Sequence, residues 1–277
     1  MKKVKNFRRN QYICCSKNYD MPSSFIIKKY LVEQDEWHSL KAFTPARIAL
    51  GRTGVSIPLK EVLNLKLAHA HARDAVHAAL DADGLYASLQ TFNLHAYLLQ
   101  SKAQTRKDYL QRPDHGRRLN ESSIALLNEE AKKHFDVSVI VADGLSAPAV
   151  NLHAFPVLQL LIPQLKQKGF SIAPITIVRN GRVAIGDEIG SLFHAKLSLI
   201  CIGERPGLSS PASMGAYITY HPQIGLTDER RFCVSNIHAK GMNYQSGAEK
   251  IFYLIKESLR LKISGVHFKE DIFSIEG

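Results

Sequence analysis

The sequence is poor in cysteine and has no long apolar run. Four cysteines among 277 residues are too few for a disulfide scaffold, and none of them forms a Cys-x-x-Cys pair. The uninterrupted apolar runs are short, such as 199–202, whereas a membrane-spanning helix needs roughly 20 apolar residues. The basic first ten residues lead into a polar segment and not into the apolar core of a secretory signal. We therefore expect a reduced protein of the cytoplasm that does not cross a membrane, with the Cys201 and Cys233 thiols buried.

The signature motifs of several enzyme and metal-binding classes are also missing. Neither Gly-x-Gly-x-x-Gly nor Gly-x-x-x-x-Gly-Lys-Ser/Thr occurs, so nothing in the sequence indicates a dinucleotide or nucleoside triphosphate. No Gly-x-Ser-x-Gly elbow presents a nucleophile. Three histidines on one predicted helix, His69, His71 and His77, lack the i, i+4 spacing of helical zinc ligands. We predict neither a catalytic residue nor a metal-ligand set on this chain.

The positive charge is concentrated at the N-terminus. The formal net charge is +11, and residues 1–30 carry eight Lys or Arg against one acidic residue, Asp20. The remaining residues, 31–277, hold 28 basic and 24 acidic side chains and are therefore close to neutral for their length. They show no RNP-like aromatic motif, zinc-finger spacing or basic recognition helix. The charge thus belongs to a tail, and we expect no specific nucleic-acid partner.

Composition and periodicity divide the chain into three regions. Residues 1–40 form a polar, basic tail, disordered through about residue 22, in which Met21 is an alternative start to Met1. Residues 41–115 form a helical N-terminal domain, where an apolar stripe follows Pro58. Residues 116–277 alternate strands with helices, which predicts an α/β fold with a largely parallel sheet covered on both faces.

The element pattern of the third region can be read in more detail. Asn120 is a predicted N-cap, and a long helix follows Ser146, with Pro156 and Pro163 expected to break or kink it. The last helix begins with a Ser246-x-x-Glu249 capping box and ends near 264–265. The predicted strands are 137–142, 174–178, 195–202, 216–220 and 232–237.

Two glycine-containing loops follow predicted strands, at 143–146 and 203–207. Ligands of open parallel sheets bind outside the carboxyl ends of the strands, so these loops are the candidate site. Glu204 lies at such an end beside glycines. Its carboxylate could accept hydrogen bonds from ligand amides, or it could cap the loop and pair with Arg205; the residues alone favour neither.

Several collinear blocks, which span about residues 44–265, resemble the small subunit of ethanolamine ammonia-lyase. The clearest is IGERPGLSSPASMGAYITYHPQIGLT at 202–227. The others are TPARIALGRTG (44–54), HARDAVHAALD (71–81), YLQRPDHGRRL (109–119), VIVADGLSAPAV (139–150), VRNGRVAIGDEIG (178–190) and RRFCVSNIH (230–238).

This resemblance implies a function that the motifs do not. The family converts ethanolamine to acetaldehyde and ammonia by radical chemistry that begins at the cobalt–carbon bond of adenosylcobalamin (coenzyme B12). The large subunit holds the substrate, and the small subunit has a helical N-terminal region and a Rossmann-like domain that covers the cofactor at the subunit interface. The implied partner is therefore the ethanolamine ammonia-lyase large subunit, in an assembly of six large and six small chains. A non-catalytic role accounts for the missing catalytic motifs.

The family's cobalamin contacts map onto Val183, Glu204 and Cys233. Glu204 would accept hydrogen bonds from corrin amides, Val183 would supply an apolar or main-chain contact, and Cys233 would pack without ligating cobalt. Because an Asp-x-His-x-x-Gly motif is absent, the cofactor's dimethylbenzimidazole is expected to stay on cobalt.

Two features depart from the family pattern, and a second function stays open. Family members that enter a bacterial microcompartment have an N-terminal amphipathic helix, which the basic tail here does not show. The segment 268–277 lies beyond the resemblance and is assigned no role. The alternative function is a stand-alone module that binds or delivers cobalamin without lyase activity.

Overall fold

The computed structural model describes residues 32–130 and 134–268. The chain divides into two compact units between Val62 and Leu63. The predictions about the tail before residue 32, including the two possible start codons and disorder, and about the last nine residues lie outside the described residues. Among the helices described, none is long and apolar enough to cross a membrane.

The first unit contains a short 3-10 helix and two isolated antiparallel β-bridges. The 3-10 helix spans His38–Ala42. Glu33 and Arg52 form an antiparallel bridge, and their side chains are joined at 2.6 Å. Thr53 and Ser56 exchange main-chain hydrogen bonds of 2.8 and 3.2 Å around Gly54, whose φ of +60° suits glycine in a tight turn.

The second unit is built on one sheet of six strands in the order β1-β3-β2-β4-β5-β6. The strands are β1 (Ala96–Gln100), β2 (Phe135–Ala142), β3 (Ile175–Arg179), β4 (Ala195–Gly203), β5 (Met214–Tyr220) and β6 (Arg231–Ile237). The first four run parallel, whereas β5 and β6 are antiparallel to their neighbours. The predicted α/β class with a largely parallel sheet is confirmed. The antiparallel edge arises because no α-helix lies between β4, β5 and β6 to carry the chain back for a parallel crossover, so the chain reverses direction at each connection.

Seven α-helices accompany the sheet in the described residues. They are α1 (Leu59–His77), α2 (Ala82–Leu89), α3 (Arg106–Gln111), α4 (Glu121–Glu130), α5 (Ala147–Gln167), α6 (Ile185–Leu192) and α7 (Tyr244–Leu261). Short 3-10 helices span Gln90–Phe92, His115–Arg117, Asp228–Arg230 and Gly265–His267. The edge strand β1 lies within the region predicted to be helical, 41–115, and it pairs with β3 of the sheet. The three domain boundaries stay predictions.

Alternating side chains of β2 build a core on each face of the sheet. Val137, Val139 and Val141 pack with α2, α5 and α7, and Ile140 and Ala142 pack with α4 and α6. All five are fully buried. β2 therefore has apolar side chains on both faces, as a central strand of a covered parallel sheet requires.

Of the local predictions about helix ends and interruptions, the structure confirms the cap of α4 and differs from those for α5 and α7. Asn120 caps α4 as predicted, since its side chain accepts from the Ser123 N–H at 2.9 Å. The helix α5 runs through both prolines without ending, because its ten buried residues supply packing that outweighs the roughly 3 kcal/mol cost of an interior proline. The capping box at Ser246 is wrong: the N-cap of α7 is Asn243, whose side chain accepts from the Ser246 N–H at 2.8 Å. That helix ends at Leu261, with the C-cap Lys262 at a left-handed φ of 58°, and not at 264–265.

The ends of β2 and β4 interlock through two glycines. The Leu145 N–H donates to the Gly203 carbonyl at 2.9 Å. A Cβ on Gly203 would lie 2.6 Å from the Asp143 carbonyl oxygen and closer still to that of Ser146. Gly144 has a φ of +55°, and a Cβ there would collide with the Gly203 carbonyl. Glycine is thus required at both positions, which fixes the two loops of the candidate site side by side.

The loop after β4 is also tied to α5 and α7 by His153. Its Nε2 lies 3.1 Å from the Ala212 carbonyl oxygen, and its Nδ1 lies 2.9 Å from the Tyr244 hydroxyl. Because a carbonyl only accepts, Nε2 carries the proton and Nδ1 accepts from the hydroxyl of Tyr244. Burial lowers the pKa of His153 from its usual 6.5, so the folded chain favours the neutral ring.

We predict that Gly203→Ala lowers the free energy of unfolding of the purified chain by about 1–3 kcal/mol, because the added methyl has no space between the two loops. Gly207→Ala in the same loop is the matched control, since a Cβ there meets nothing closer than 3.5 Å. Urea denaturation followed by circular dichroism measures both variants. Equal stability of the two would contradict the interlock.

We predict that His153 makes the fold less stable as the pH falls below about 6.5. In that range the unfolded chain binds a proton that the folded imidazole does not, so the free energy of unfolding decreases with decreasing pH. Urea unfolding at about pH 5 and about pH 7.5 should show a larger loss for the wild type than for His153→Gln. The exposed His221→Gln is the control and should behave like the wild type. The same loss in wild type and His153→Gln would refute the assignment.

Candidate functional site

Two adjoining cavities open at the carboxyl end of the parallel strands and extend over β5 and β6. The main cavity has a volume of about 1080 Å³, and the side cavity has a volume of about 400 Å³. The main cavity is lined by Asp114, Arg117, Arg118, Arg182, Val183, Ala184, Tyr217, Ile224, Gly225, Leu226, Thr227, Asp228, Glu229, Arg231 and Cys233. The side cavity is lined by Tyr109, Gly144, Leu145, Arg182, Val183, Ile202, Gly203, Glu204, Arg205 and Tyr217. Both predicted strand-end loops thus contribute, at the edge where open α/β sheets bind ligands.

Tyr217 lies between the two cavities and contacts both. It stands on β5, directly opposite Cys233 of β6. Burial raises the pKa of Tyr217, and Cys233 and Glu204 add to the rise, so the phenol stays protonated. A protonated phenol offers the site one polar hydroxyl group on an otherwise apolar aromatic ring.

The three residues singled out from the sequence all line these cavities. Val183 contacts both cavities and lies two residues before α6; Cys233 lines the main cavity and Glu204 the side cavity. The expectation that both strand thiols are buried is half wrong: Cys201 is buried, but Cys233 is exposed, because its side chain lines the open main cavity. Burial raises the pKa of Cys201 to about 12 and also raises that of Cys233 above its usual value, which keeps both thiols protonated at neutral pH.

Glu204 caps its loop and also faces the side cavity. Its Oε2 accepts from the Ser213 hydroxyl at 2.5 Å and from the Asn236 N–H at 3.3 Å, and its own N–H donates to the Ser213 carbonyl at 2.9 Å. Gly215 leaves room for this side chain, since a Cβ there would lie 2.9 Å from Oε1. The capping role is therefore real, and the remaining acceptor capacity of the carboxylate is directed toward the cavity.

Tyr109 and Arg182, which line the side cavity, belong to a stack of three side chains with Arg106. The guanidinium groups of Arg106 and Arg182 each lie 4.5 Å from the centroid of the Tyr109 ring. Arg182 Nη2 also donates to the Tyr109 carbonyl at 3.0 Å, whereas its buried Nε has no partner among the described residues. Burial raises the pKa of Tyr109 to about 12, so this phenol is also neutral.

Asp143, at the end of β2, holds this stack in place. Its two carboxylate oxygens accept from the N–H groups of Asn180 at 2.9 Å and Gly181 at 3.0 Å, and Arg106 Nη1 lies 3.6 Å away. Burial raises the pKa of Asp143 to about 6, and the two N–H groups and Arg106 oppose that rise. The carboxylate therefore fixes the turn between β3 and Val183.

Two ion pairs hold the rim of the main cavity to α6. Asp187 accepts from Arg231 at 2.7 Å, and Glu188 accepts from Arg118 at 2.9 Å. Burial raises the pKa of Asp187, whereas Arg231 and Thr219 oppose the rise. No cluster of three or more His, Cys, Asp or Glu side chains in the described part of the chain could hold a metal ion.

The sequence analysis missed most of the polar framework of the site. It did not single out Tyr109, Arg182, Tyr217 or the two ion pairs, because their partners are far apart along the chain. One signal was present: Asp187 and Glu188 interrupt the otherwise apolar or small start of α6, IGDEIG, and two acids in a buried helix require partners.

Comparison with known proteins gives a single family. Residues 34–269 match the family model described as ethanolamine ammonia-lyase light chain (EutC). The chain is 48% identical over 241 residues to a Pseudomonas fluorescens protein named ethanolamine ammonia-lyase small subunit, which covers 86% of this chain and 88% of that protein. A protein of the same name from Pseudomonas aeruginosa is 46% identical over 249 residues, covering 88% and 91% of the two chains.

A third relative of that name, from Pseudomonas putida, is 48% identical over 238 residues, covering 85% and 88% of the two chains. The matched region contains the whole of the sheet and both cavities. The chain therefore belongs to the ethanolamine ammonia-lyase light-chain family, whose members are named small subunits of that lyase.

Proposed function

We propose that this chain is the non-catalytic small subunit of an adenosylcobalamin-dependent ethanolamine ammonia-lyase and forms one wall of its cofactor site. The observation that carries the proposal is the grouping of Val183, Glu204 and Cys233 around Tyr217 in two adjoining cavities. The large subunit would supply the opposite wall and the substrate site. The family membership and the chemistry of the lining residues support this division of roles.

The size and the lining of the cavities fit a large, amide-rich cofactor. A volume of about 1080 Å³ lies at the upper end of the range for small-molecule sites. The corrin ring carries amide side chains, which both donate and accept hydrogen bonds. Glu204 offers a carboxylate acceptor in the side cavity, and the Arg182 side chain brings a cationic group to the lining of both cavities. Val183 and Tyr217 supply the apolar surface against which a flat macrocycle packs.

The cofactor, when bound, supplies the cobalt–carbon bond whose homolysis starts the radical reaction on ethanolamine. The residues of this chain would bind and orient it. Glu204 would accept from its amides, Tyr217 and Val183 would exclude water from one face, and Cys233 would pack against it as a protonated thiol. No histidine lines either cavity, so these residues offer no imidazole to the metal. Residence in the cytoplasm or a microcompartment and assembly from six large and six small chains stay predictions.

Co-expression with the large subunit tests the proposal directly. We expect a stable complex that binds adenosylcobalamin and releases acetaldehyde from ethanolamine, and we expect neither chain alone to do so. Gel filtration, the visible absorption of the retained cofactor and an aldehyde-coupled assay measure the three properties. Full activity of the large subunit alone would contradict the proposal. Tight cofactor binding by this chain alone, with no complex formed, would instead support a stand-alone binding or delivery module.

We predict that Glu204→Gln weakens cofactor affinity about tenfold, because the neutral amide loses the charge-assisted hydrogen bonds to corrin amides. The Michaelis constant for ethanolamine should stay within about twofold, since the substrate is expected on the large subunit. The variant Glu249→Gln, on an exposed position of α7, is the matched control. If Glu204→Gln leaves the affinity for the cofactor unchanged, Glu204 acts only as a loop cap, through its hydrogen bonds within this chain such as the one to Ser213.

A further inference from the structure

We propose that Asp187 and Glu188, at the start of α6, are positioning residues that fix the two opposite walls of the main cavity independently of each other. One wall is the segment 224–231, and the other is the segment 114–119. This inference rests on the proposed function for its link to the cofactor. The way in which the walls are held follows from the contacts alone.

The two carboxylates leave α6 in different directions. Consecutive residues of an α-helix are rotated by roughly 100°, so neighbouring side chains cannot serve the same partner. Asp187 points toward β5 and β6, and Glu188 points toward the segment that precedes α4. The helix therefore stands between the two walls and is bonded to each by one carboxylate.

Asp187 holds the first wall through a single buried arginine. The side chains of Asp187 and Arg231 are both 2% exposed, and their ion pair measures 2.7 Å. The same guanidinium donates to the Leu226 carbonyl at 2.9 Å, to Thr219 Oγ1 at 3.2 Å and to Asp228 Oδ1 at 3.2 Å. Arg231 thus fastens both ends of the 226–231 stretch, which is otherwise largely exposed, to the body of the fold.

Glu188 holds the second wall through a side chain and a main-chain group. Its side chain is 4% exposed; Oε1 accepts from Arg118 Nη2 at 2.9 Å and Nε at 3.1 Å, and Oε2 accepts from the Leu119 N–H at 2.7 Å. The Arg118 side chain is 42% exposed and lines the main cavity. Among the described residues, Glu188 is the side-chain partner that fixes the direction of Arg118.

The helix α6 is a firm base for both contacts. A Cβ on Gly186 would lie 3.4 Å from Ile200 of β4, and a Cβ on Gly190 would lie 2.6 Å from Pro222 Cγ. Gly186 lets α6 lie close to the sheet. Gly190 lets it lie close to Pro222, which precedes the first wall, 224–231. Ile185 and Ile189, fully buried on the same helix, anchor it in the core.

Stability alone does not explain these buried carboxylates. Replacing a buried ion pair by apolar side chains of similar volume is often neutral or stabilising, so such pairs are weak evidence for a role in stability. The arginine of each pair instead lines the main cavity, and both acids lie in the first turn of the helix that follows the lining residues Val183 and Ala184. Positioning of the two walls is the common consequence of the two contacts.

The test uses the full-length chain in complex with its large subunit. Arg231→Lys keeps the charge and one contact to Asp187 but cannot donate to Leu226, Thr219 and Asp228 together. Glu188→Gln keeps a single acceptor oxygen, which cannot replace both the Oε1 bonds to Arg118 and the Oε2 bond to the Leu119 N–H. Limited proteolysis of the cofactor-free complex reports each wall, with a glutamyl endopeptidase acting at Glu229 and trypsin acting at Arg117. Mass spectrometry identifies the cut, and equilibrium dialysis against adenosylcobalamin gives the affinity.

We expect Arg231→Lys to accelerate the cut at Glu229 about tenfold without changing the cut at Arg117, and Glu188→Gln to do the reverse. Each should raise the dissociation constant for adenosylcobalamin about tenfold and lower kcat at saturating cofactor by less. Leu161→Ala is the control for a general loss of stability, because Leu161 is buried in α5 on the other face of the sheet. It should lower the melting temperature without selective cleavage or loss of affinity.

Unchanged cleavage in both variants, or parallel changes at the two cuts matching those of Leu161→Ala, would overturn the inference. A wild-type complex that binds no cobalamin would count against the proposed function alone. The proteolysis would still decide whether each carboxylate holds its wall. If Arg231→Lys does not assemble with the large subunit, Asp187→Asn is cleaved in its place. If Glu188→Gln does not assemble, Arg118→Lys is cleaved in its place.

Discussion

The parallel pairing of β2 with β4 is the interaction on which the site depends. Seven paired positions, from Phe135 with Ala195 to Ala142 with Ile202, bring the ends of the two strands to the same edge of the sheet. The loops that follow are then so close that only glycine fits at positions 144 and 203. This contact between the loops fixes the positions of the groups that line the side cavity, from Tyr109 to Glu204. Under the proposed function, such fixed loops would suit a surface that has to match a rigid macrocycle.

The charged side chains around the cavities mainly form hydrogen bonds and ion pairs with other groups of this chain. Asp143, Asp187 and Glu188 each accept from groups of this chain, and Glu204 shares its carboxylate between a loop cap and the cavity. This use of charge differs from that of an acid–base site, where carboxylates are left free to exchange protons with a substrate. A subunit that shapes a site whose chemistry belongs to a cofactor and to a partner chain requires order in its lining more than reactivity.

The sequence predicts the fold better than it predicts the site. The strands β2, β3 and β4 were found within two residues, because their apolar runs are long enough to identify a buried parallel strand. The antiparallel edge was not foreseen, since strand periodicity does not carry direction. The position of Glu204 at a strand end beside glycines indicates it from the residues alone, whereas Val183 and Cys233 follow from the family resemblance. The pairs Asp187–Arg231 and Glu188–Arg118 join residues about 44 and 70 positions apart, and only the fold reveals such partners.

The mixed direction of the sheet also has a consequence for the order in which the site assembles. β4, β5 and β6 are joined by short connections, so Leu199 meets Ile218 across about 20 residues, whereas Val139 meets Leu199 across about 60. Closing the longer loop costs about 1 kcal/mol more in chain entropy. Contacts of short sequence separation form faster, so the half of the site that carries Glu204, Tyr217 and Cys233 is expected to form as a local three-stranded unit. The parallel strands would then dock against a lining that already exists.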